Sequence, residues 1–434
     1  MTKLYSFFCI CCVFLLEIST GFAQQPHDVR PFGPYMQCCL QHIDRDMFTF
    51  VEPPRNMASR SHCASFQFSY FGGPPAQQVQ DGIQYAADIW SSLLVSNVTI
   101  RVNIVYISWT SLGTSIASPI KNFPGAPDTS IWYPFALADA ITGVDQRPGE
   151  DDMTIFLNNG ANWYFGLDGN TPSGQIDFVS VVLHEIGHGL GFTSLSNKRM
   201  AEGSFGNITA ADLGLPVLPF PPLEGRPGVF DKQLIHAPSN LSLTDTMFFA
   251  NPSQQLGDFF TGGQVALTGT ALLAANGNQT AKVHAEAPFS FGTTMTHLDE
   301  TLYPPGDTNT LMSPFIGNAE ADHHPGPITL GLFQDLGWQL CEHVNVGEEL
   351  NAWEVTVSPN PAKEHLQVNW SLLLTEKGQF NLYDLKGRLV LQKALNKGSQ
   401  STDIQIESGI TPGLYFYECV HGNSKVKAKL LIEK

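Results

Sequence analysis

Apolar and polar positions change period several times along the first half of the chain. Ser65 to Phe71 alternates, with Phe66, Phe68 and Tyr70 on one face, which predicts a strand. Gly72-Gly73-Pro74-Pro75 breaks it. From Val79 to Leu94 the apolar residues Val79, Ile83, Ala86, Ala87, Trp90 and Leu94 recur at threes and fours, the spacing of a helix. Val98 to Ile107 is β-branched and alternating, and Asp152 to Asn158 is a further short strand closed by Asn158-Asn159-Gly160. Helical spacing returns where Phe178, Val182, Ile186 and Leu190 make one apolar line, with Asp177 placed as its N-cap. Strand, helix, strand, strand, helix predicts an α/β (α+β) domain, a twisted mixed sheet with a helix beside it.

Residues 24–57 are rich in proline and polar residues and predict an irregular N-terminal extension or short leader. Residues 198–288 carry many Gly, Pro and Asn punctuators between short apolar runs, and read as an insertion with small elements of its own. Ile328 to Trp338 is again helical in spacing. Beyond the polar stretch Glu342 to Asn351, strand-like segments follow at Trp353–Val357, Leu366–Trp370, Gln379–Leu385, Leu389–Lys393, Ser401–Ile406, Gly413–Cys419 and Lys425–Ile432. Turn signals separate them regularly, which predicts a small all-β sandwich over 352–434 and leaves 58–342 as the first domain.

Charge sharpens that boundary. The 434 residues carry a formal net charge of −17, which makes nucleic acid and anionic membranes poor partners. From Ala352 to Lys434 basic residues outnumber acidic ones, so the deficit belongs to the preceding part. Lys3, the apolar run Phe7 to Leu16 and Gly21-Phe22-Ala23 read as a signal peptide over 1–23. That run is too short to span a bilayer core of about 30 Å, and no other stretch is long and apolar enough. The exported chain keeps Cys38, Cys39, Cys63, Cys341 and Cys419. Export permits disulfides, and Cys63 with Cys38 or Cys39 is a plausible bridge. A cysteine near the N-terminus is also able to cap a metal in a latent form.

The chemistry concentrates in Val181-Val182-Leu183-His184-Glu185-Ile186-Gly187-His188-Gly189-Leu190-Gly191-Phe192, which holds H-E-x-x-H. Two histidines at i and i+4 share one helical face about one turn apart and can converge on a single cation. Glu185 follows the first ligand and in this motif serves as general base on the metal-bound water. A catalytic Zn²⁺ needs a third protein ligand and one open position. The compact extension of the motif would put a histidine at 194, where this chain has Ser194, a poor zinc ligand. The third ligand must therefore lie downstream. His297 leads the candidates, within Gly292-Thr293-Thr294-Met295-Thr296-His297-Leu298-Asp299-Glu300 and ahead of Leu311-Met312-Ser313-Pro314. Asp299 or Glu300 would instead make a His-His-acid site, and His236, His284, His323 and His324 are more distant rivals. The acidic residues Asp151, Asp152, Asp168 and Asp177 match no calcium loop and read as turns and caps.

Taken together, H-E-x-x-H-x-Leu-Gly-Phe, the long insertion, a Gly-Thr-rich segment ending in histidine and a Leu-Met-x-Pro turn resemble the leishmanolysin-like metzincin zinc metallopeptidases. The resemblance implies a metzincin-like catalytic domain with Zn²⁺ on His184, His188 and His297, Glu185 as base and Met312 in the Met-turn beneath the ligands. The delay of 109 residues from His188 to His297 is long even for that arrangement. Leu330-Gly331-Leu332-Phe333 to Trp338 resembles the helix that closes such domains. In the last module, Val355 to Ala362, Asn381 to Val390, Gly413-Leu414-Tyr415-Phe416 and the Lys-rich final strand are similar to the C-terminal sorting domains of type IX secretion. That implies passage through the periplasm of a Gram-negative bacterium to the cell surface or medium, with the secretion machinery as partner.

The function expected from these readings is hydrolysis of peptide bonds in extracellular proteins. A surface adhesion protein with an inactive metalloprotease-like domain, and a zinc hydrolase of non-peptide amides, are the alternatives; an intact Glu185 speaks against the first.

Overall fold

The computed structural model describes residues 36–433 save 55–61, 110, 210–211, 213–221, 342–354 and five short stretches at 372–373, 375–376, 385, 408 and 422–423. The signal-peptide reading, the linker and Trp353 lie outside the described residues. The chain divides into two compact units, Met1–Glu342 and His343–Lys434.

The first unit is built on a six-stranded mixed sheet. Its strands are β1 (Met36–Val51), β2 (Phe66–Tyr70), β3 (Ile100–Ile107), β4 (Gly113–Ala117), β5 (Met153–Asn158) and β6 (Phe315–Asp322), in spatial order β6-β1-β4-β5-β3-β2. β2, β3 and β5 run parallel, and β4 returns antiparallel to β5. Two helices pack against each other and against the sheet: α1 (Gln77–Ser91), which crosses over from β2 to β3, and α3 (Phe178–Leu190). α2 (Phe135–Thr142) precedes β5 and stops at Gly143, whose φ of +68° only glycine adopts without strain. α4 (Gly326–Leu336) follows β6.

Where periodicity was strong, sequence and structure agree to within a few residues. Three elements depart from it. Residues 36–51 form the long strand β1 in place of an irregular leader. β4 and β6 also had no clear alternation, because both are buried on two faces and carry small or polar residues such as Thr114, Ser115, Asn318 and Glu320 inside. Cys63 bonds Cys341 rather than Cys38 or Cys39. The backbone explains the choice: Cys63 donates its amide to Ser91 and Cys341 to Leu93, so both are tied to the end of α1.

The segment 198–288 holds a small four-stranded sheet and two short helices, Gln254–Phe260 and Thr270–Ala275. Phe205, Phe230, Leu256 and Val265 from this segment belong to the same core as Trp90, Phe178 and Phe333. It is therefore packed into the first unit. Its last residues lead into a β-bridge between Val283 and Leu298, with His284 donating its amide to the His297 carbonyl. That pairing delivers His297.

The second unit is a β-sandwich with a core of its own around Leu366, Trp370, Phe380, Tyr417 and Leu430. One sheet orders β7 (Val355–Ser358), β8 (His365–Trp370) and β11 (Ser401–Gln405). The other orders β10 (Leu389–Leu395), β9 (Gly378–Tyr383), β12 (Gly413–His421) and β13 (Ser424–Ile432). Cys419 lies buried there as a free thiol.

Candidate metal centre

α3 begins where the Asp177 carboxylate accepts the Ser180 amide at 2.7 Å, a side-chain cap for one of the four orphan amides. The same oxygen meets His323 Nε2 at 2.9 Å. All thirteen residues of the helix are buried. Trp90 and Trp338 donate their indole N–H groups to the carbonyls of Leu183 and Leu190, pinning the helix on two sides. Two of its glycines lie against sulfur. A Cβ on Gly187 would stand 2.9 Å from Met312 Sδ, and one on Gly189 would stand 2.1 Å from Met153 Sδ. The 3₁₀ turn Thr310–Met312 therefore fits closely against the helix, with Met312 wholly buried.

His184, His188 and His297 are each at most 1 % exposed. Their Nε2 atoms lie 2.8 Å (184 to 188), 3.1 Å (188 to 297) and 3.3 Å (184 to 297) apart. Each Nδ1 faces a backbone carbonyl: Leu311 at 2.5 Å, Phe192 at 2.6 Å and Thr293 at 2.9 Å. A carbonyl oxygen can only accept, so each Nδ1 carries the ring proton and each Nε2 presents a bare lone pair. Burial drives the pKa of His184 down to about 4 and those of His188 and His297 well below the usual histidine value, so the rings are neutral. Three lone pairs facing one another repel unless a cation stands among them. Nitrogens held about 2.0–2.1 Å from a tetrahedral zinc would lie roughly 3.3 Å apart, close to the spacing here. Among the described residues this is the one group of three or more metal-ligating side chains close enough together to hold an ion.

Glu185 points from the same helix toward the sheet and is wholly buried. Neither of its oxygens has a hydrogen bond of full geometry among the described residues. Burial pushes its pKa well above the ordinary carboxyl value, against a smaller opposing pull from the amides of Leu40 and Ser115. Its room is made by Gly113, where a Cβ would stand 2.5 Å from Glu185 Oε1.

The rivals for the third ligand have other occupations. Ser194 donates to Asp231 at 2.6 Å. Asp299 pairs with Lys282 at 2.8 Å. Glu300 lies outside the histidine group, its pKa raised to about 7 by burial. His236 stacks on Phe259, His284 meets the edge of Phe315, His323 pairs with Asp177, and His324 accepts the Gly326 amide. Gly113, Asp231 and the Leu40 backbone carry no local sequence signal; each matters only through a contact made across the fold.

Comparison with known proteins adds to each unit separately. Residues 356–433 match the secretion system C-terminal sorting domain, and residues 55–209 match a family described as SPBPB7E8-like. The second match takes in β2 to β5 and α3, and stops short of His297. An uncharacterized protein of Schizosaccharomyces pombe is 28% identical over 36% of this chain, which spans only 30% of that relative. The crystal structure of dimeric latent PorU from Porphyromonas gingivalis is similar over 18% of this chain and 9% of its own, at 18% identity and a TM-score of 0.15. Residues 356–433 are thus a type IX secretion sorting domain, which indicates export to the cell surface or medium.

Proposed function

We propose that the first unit is a metzincin-like zinc endopeptidase acting on extracellular proteins, with His184, His188 and His297 as ligands and Glu185 as general base. One observation carries the reading: three buried imidazoles turn bare Nε2 lone pairs on one point beside a buried carboxylate without a full hydrogen bond. A bound zinc ion would act there as a Lewis acid, bringing the pKa of a water ligand to about 7.

The protein's own groups do the rest. The carbonyls of Leu311, Phe192 and Thr293 lock the ring tautomers and hold the lone pairs inward, as partners behind metal ligands do. Met312 and Gly187 give the ligand helix a close-fitting apolar floor. Glu185 takes a proton from the attacking water on a carboxylate oxygen and returns it to the nitrogen of the departing amine. Its low-dielectric surroundings raise its proton affinity, which suits a group that must hold a proton briefly.

Glu185→Gln tests the assignment, because it changes the proton acceptor and little else. The variant should bind one zinc per chain, keep its circular dichroism spectrum and lose about 10²- to 10⁴-fold in casein hydrolysis. Near wild-type turnover would remove Glu185 from the mechanism, and a metal-loaded wild-type protein that cleaves only non-peptide amides would replace the substrate class.

A further inference from the structure

An open cleft of about 830 Å³ adjoins the metal centre. Leu112 and Thr114 line it, and they flank Gly113, the residue packed on Glu185 Oε1. Thr293 lines it too, and its carbonyl accepts the His297 Nδ1–H at 2.9 Å. The cleft wall thus includes neighbours of both the buried carboxylate and the third histidine.

Most of the lining side chains are polar; none is Lys or Arg, and Asp44 is the one carboxylate among them. Several are anchored through one polar atom and keep the other unpartnered among the described residues. Asn158 Oδ1 accepts the Gly160 amide at 2.9 Å, which leaves the Nδ2 donors. Asn162 Nδ2 donates to the Gly174 carbonyl at 2.8 Å, which leaves Oδ1 as an acceptor. Asn318 Nδ2 donates to Asp44 Oδ1 at 3.0 Å, so its own Oδ1 is the atom that accepts from His42 Nε2 at 2.9 Å. His42 Nδ1 and Asp44 Oδ2 remain. Trp109 stacks on Phe156 with ring centroids 4.6 Å apart, and its indole N–H donates to Thr114 Oγ1 at 3.0 Å. The ring is fixed from one face and one edge, and meets the cleft with the rest.

These groups select among guests. An apolar one would strip water from the amides and return no hydrogen bonds. An anion meets no Lys or Arg. A peptide would enter most readily as an added strand, but β4 beside the cleft is paired along both edges, with β1 and β5. A neutral sugar matches the lining: its hydroxyls both donate and accept, so they satisfy amide N–H, amide oxygen and carboxylate alike, while the C–H face of its ring lies on the indole. The volume falls in the range of about 300–1,000 Å³ usual for small-ligand sites. We propose that the cleft is a carbohydrate subsite, which holds a neutral glycan carried by the protein substrate while the adjoining peptide reaches the metal centre. The role in hydrolysis rests on the peptidase reading above; glycan binding does not.

The test begins with the full-length, zinc-loaded chain, fluorescently labelled, on an array of neutral and sialylated glycans. At least one neutral glycan should be retained, and Trp109→Ala should weaken its binding in calorimetry by about tenfold or more. Asn158→Asp keeps an acceptor for the Gly160 amide and removes the Nδ2 donors, so it should weaken binding by about tenfold with an unchanged circular dichroism spectrum. That variant decides the matter even if Trp109→Ala fails to fold. One peptide is then offered with and without the retained glycan, and the glycosylated form should be cleaved with a kcat/KM about tenfold higher. Retention of sialylated glycans alone, retention of none, or binding that both variants leave at wild-type strength overturns the proposal. Equal cleavage of the two peptides overturns it as well, and so does tighter binding of the bare peptide, which would make the cleft a peptide groove. Glycan binding that both variants weaken, with neither peptide cleaved, upholds the carbohydrate site and sinks the peptidase reading alone.

Discussion

At the scale of single residues, His297 is the sharpest commitment. Its ring shares the inward-facing geometry of His184 and His188, whereas Ser194 is bonded to Asp231 and Glu300 stands apart. Under one chelator wash, His297→Ala should lose zinc by at least a hundredfold in affinity and stay folded. Ser194→Ala and Glu300→Gln should keep one zinc per chain. Metal analysis of all three decides it, and zinc loss in Glu300→Gln alone would move the third ligand to the carboxylate. His184, Glu185 and His188 were legible because helical spacing alone brings i and i+4 together. His297 stood out through the Gly-Thr-rich segment that ends in it and the Leu311-Met312-Ser313-Pro314 stretch after it, whereas the fold that brings it beside His184 and His188 was not legible. Gly113 was not legible at all. Its role exists only because the Glu185 carboxylate arrives from a helix seventy-two positions away. Gly113→Ala should displace that carboxylate and lower kcat at least tenfold while zinc content is unchanged; wild-type kcat would mean that Glu185 has space to spare.

At the scale of elements, the strongly alternating strands and the apolar helices were readable, and the strands flanking the site were not. β1 carries charges at Asp44, Arg45 and Asp46 on a mostly exposed face, so it lacks the two-residue rhythm of a half-buried strand. β6 buries Asn318, Glu320 and Asp322, residues that ordinarily mark a loop. The start of β5 shows the same conflict in a form that titration can measure. Asp152 is 6 % exposed and accepts the Arg101 amide at 2.7 Å, with Asp139, Asp145, Asp151 and the Arg101 guanidinium nearby. Burial raises its pKa to about 7, so the folded chain keeps this proton where the unfolded chain has already released it. The native state therefore binds more protons between about pH 4 and 7, and the contribution to stability is full below that window and lost across it as pH rises. At about 1.4 kcal/mol per tenfold change in proton affinity, the loss is on the order of 2–4 kcal/mol. Asp152→Asn keeps an acceptor for the Arg101 amide and cannot ionise. Denaturant midpoints measured from pH 4 to 7 should fall less steeply in the variant, and parallel slopes would show that Asp152 does not titrate there.

At the scale of the whole molecule, the chain combines two units with separate cores. The last residues of the first unit are bound into it: Cys341 is bonded to Cys63, and Trp338 donates to α3. The sorting domain buries Leu366, Phe380, Tyr417 and Leu430 among its own strands and supplies none of the three histidines or Glu185. Removing Val355 to Lys434 should therefore leave the first unit folded, with its zinc content and its thermal midpoint unchanged within a few degrees. What the truncation removes is the domain read by the type IX machinery, so the shortened protein should accumulate in the periplasm while the full chain reaches the surface or medium. Fractionation with an antibody to the first unit gives the location, and metal content with circular dichroism gives the state of the retained unit. Surface delivery of the shortened chain would mean that a second export signal lies within residues 1–354. Loss of folding would mean that the first unit depends on the sandwich despite its separate core.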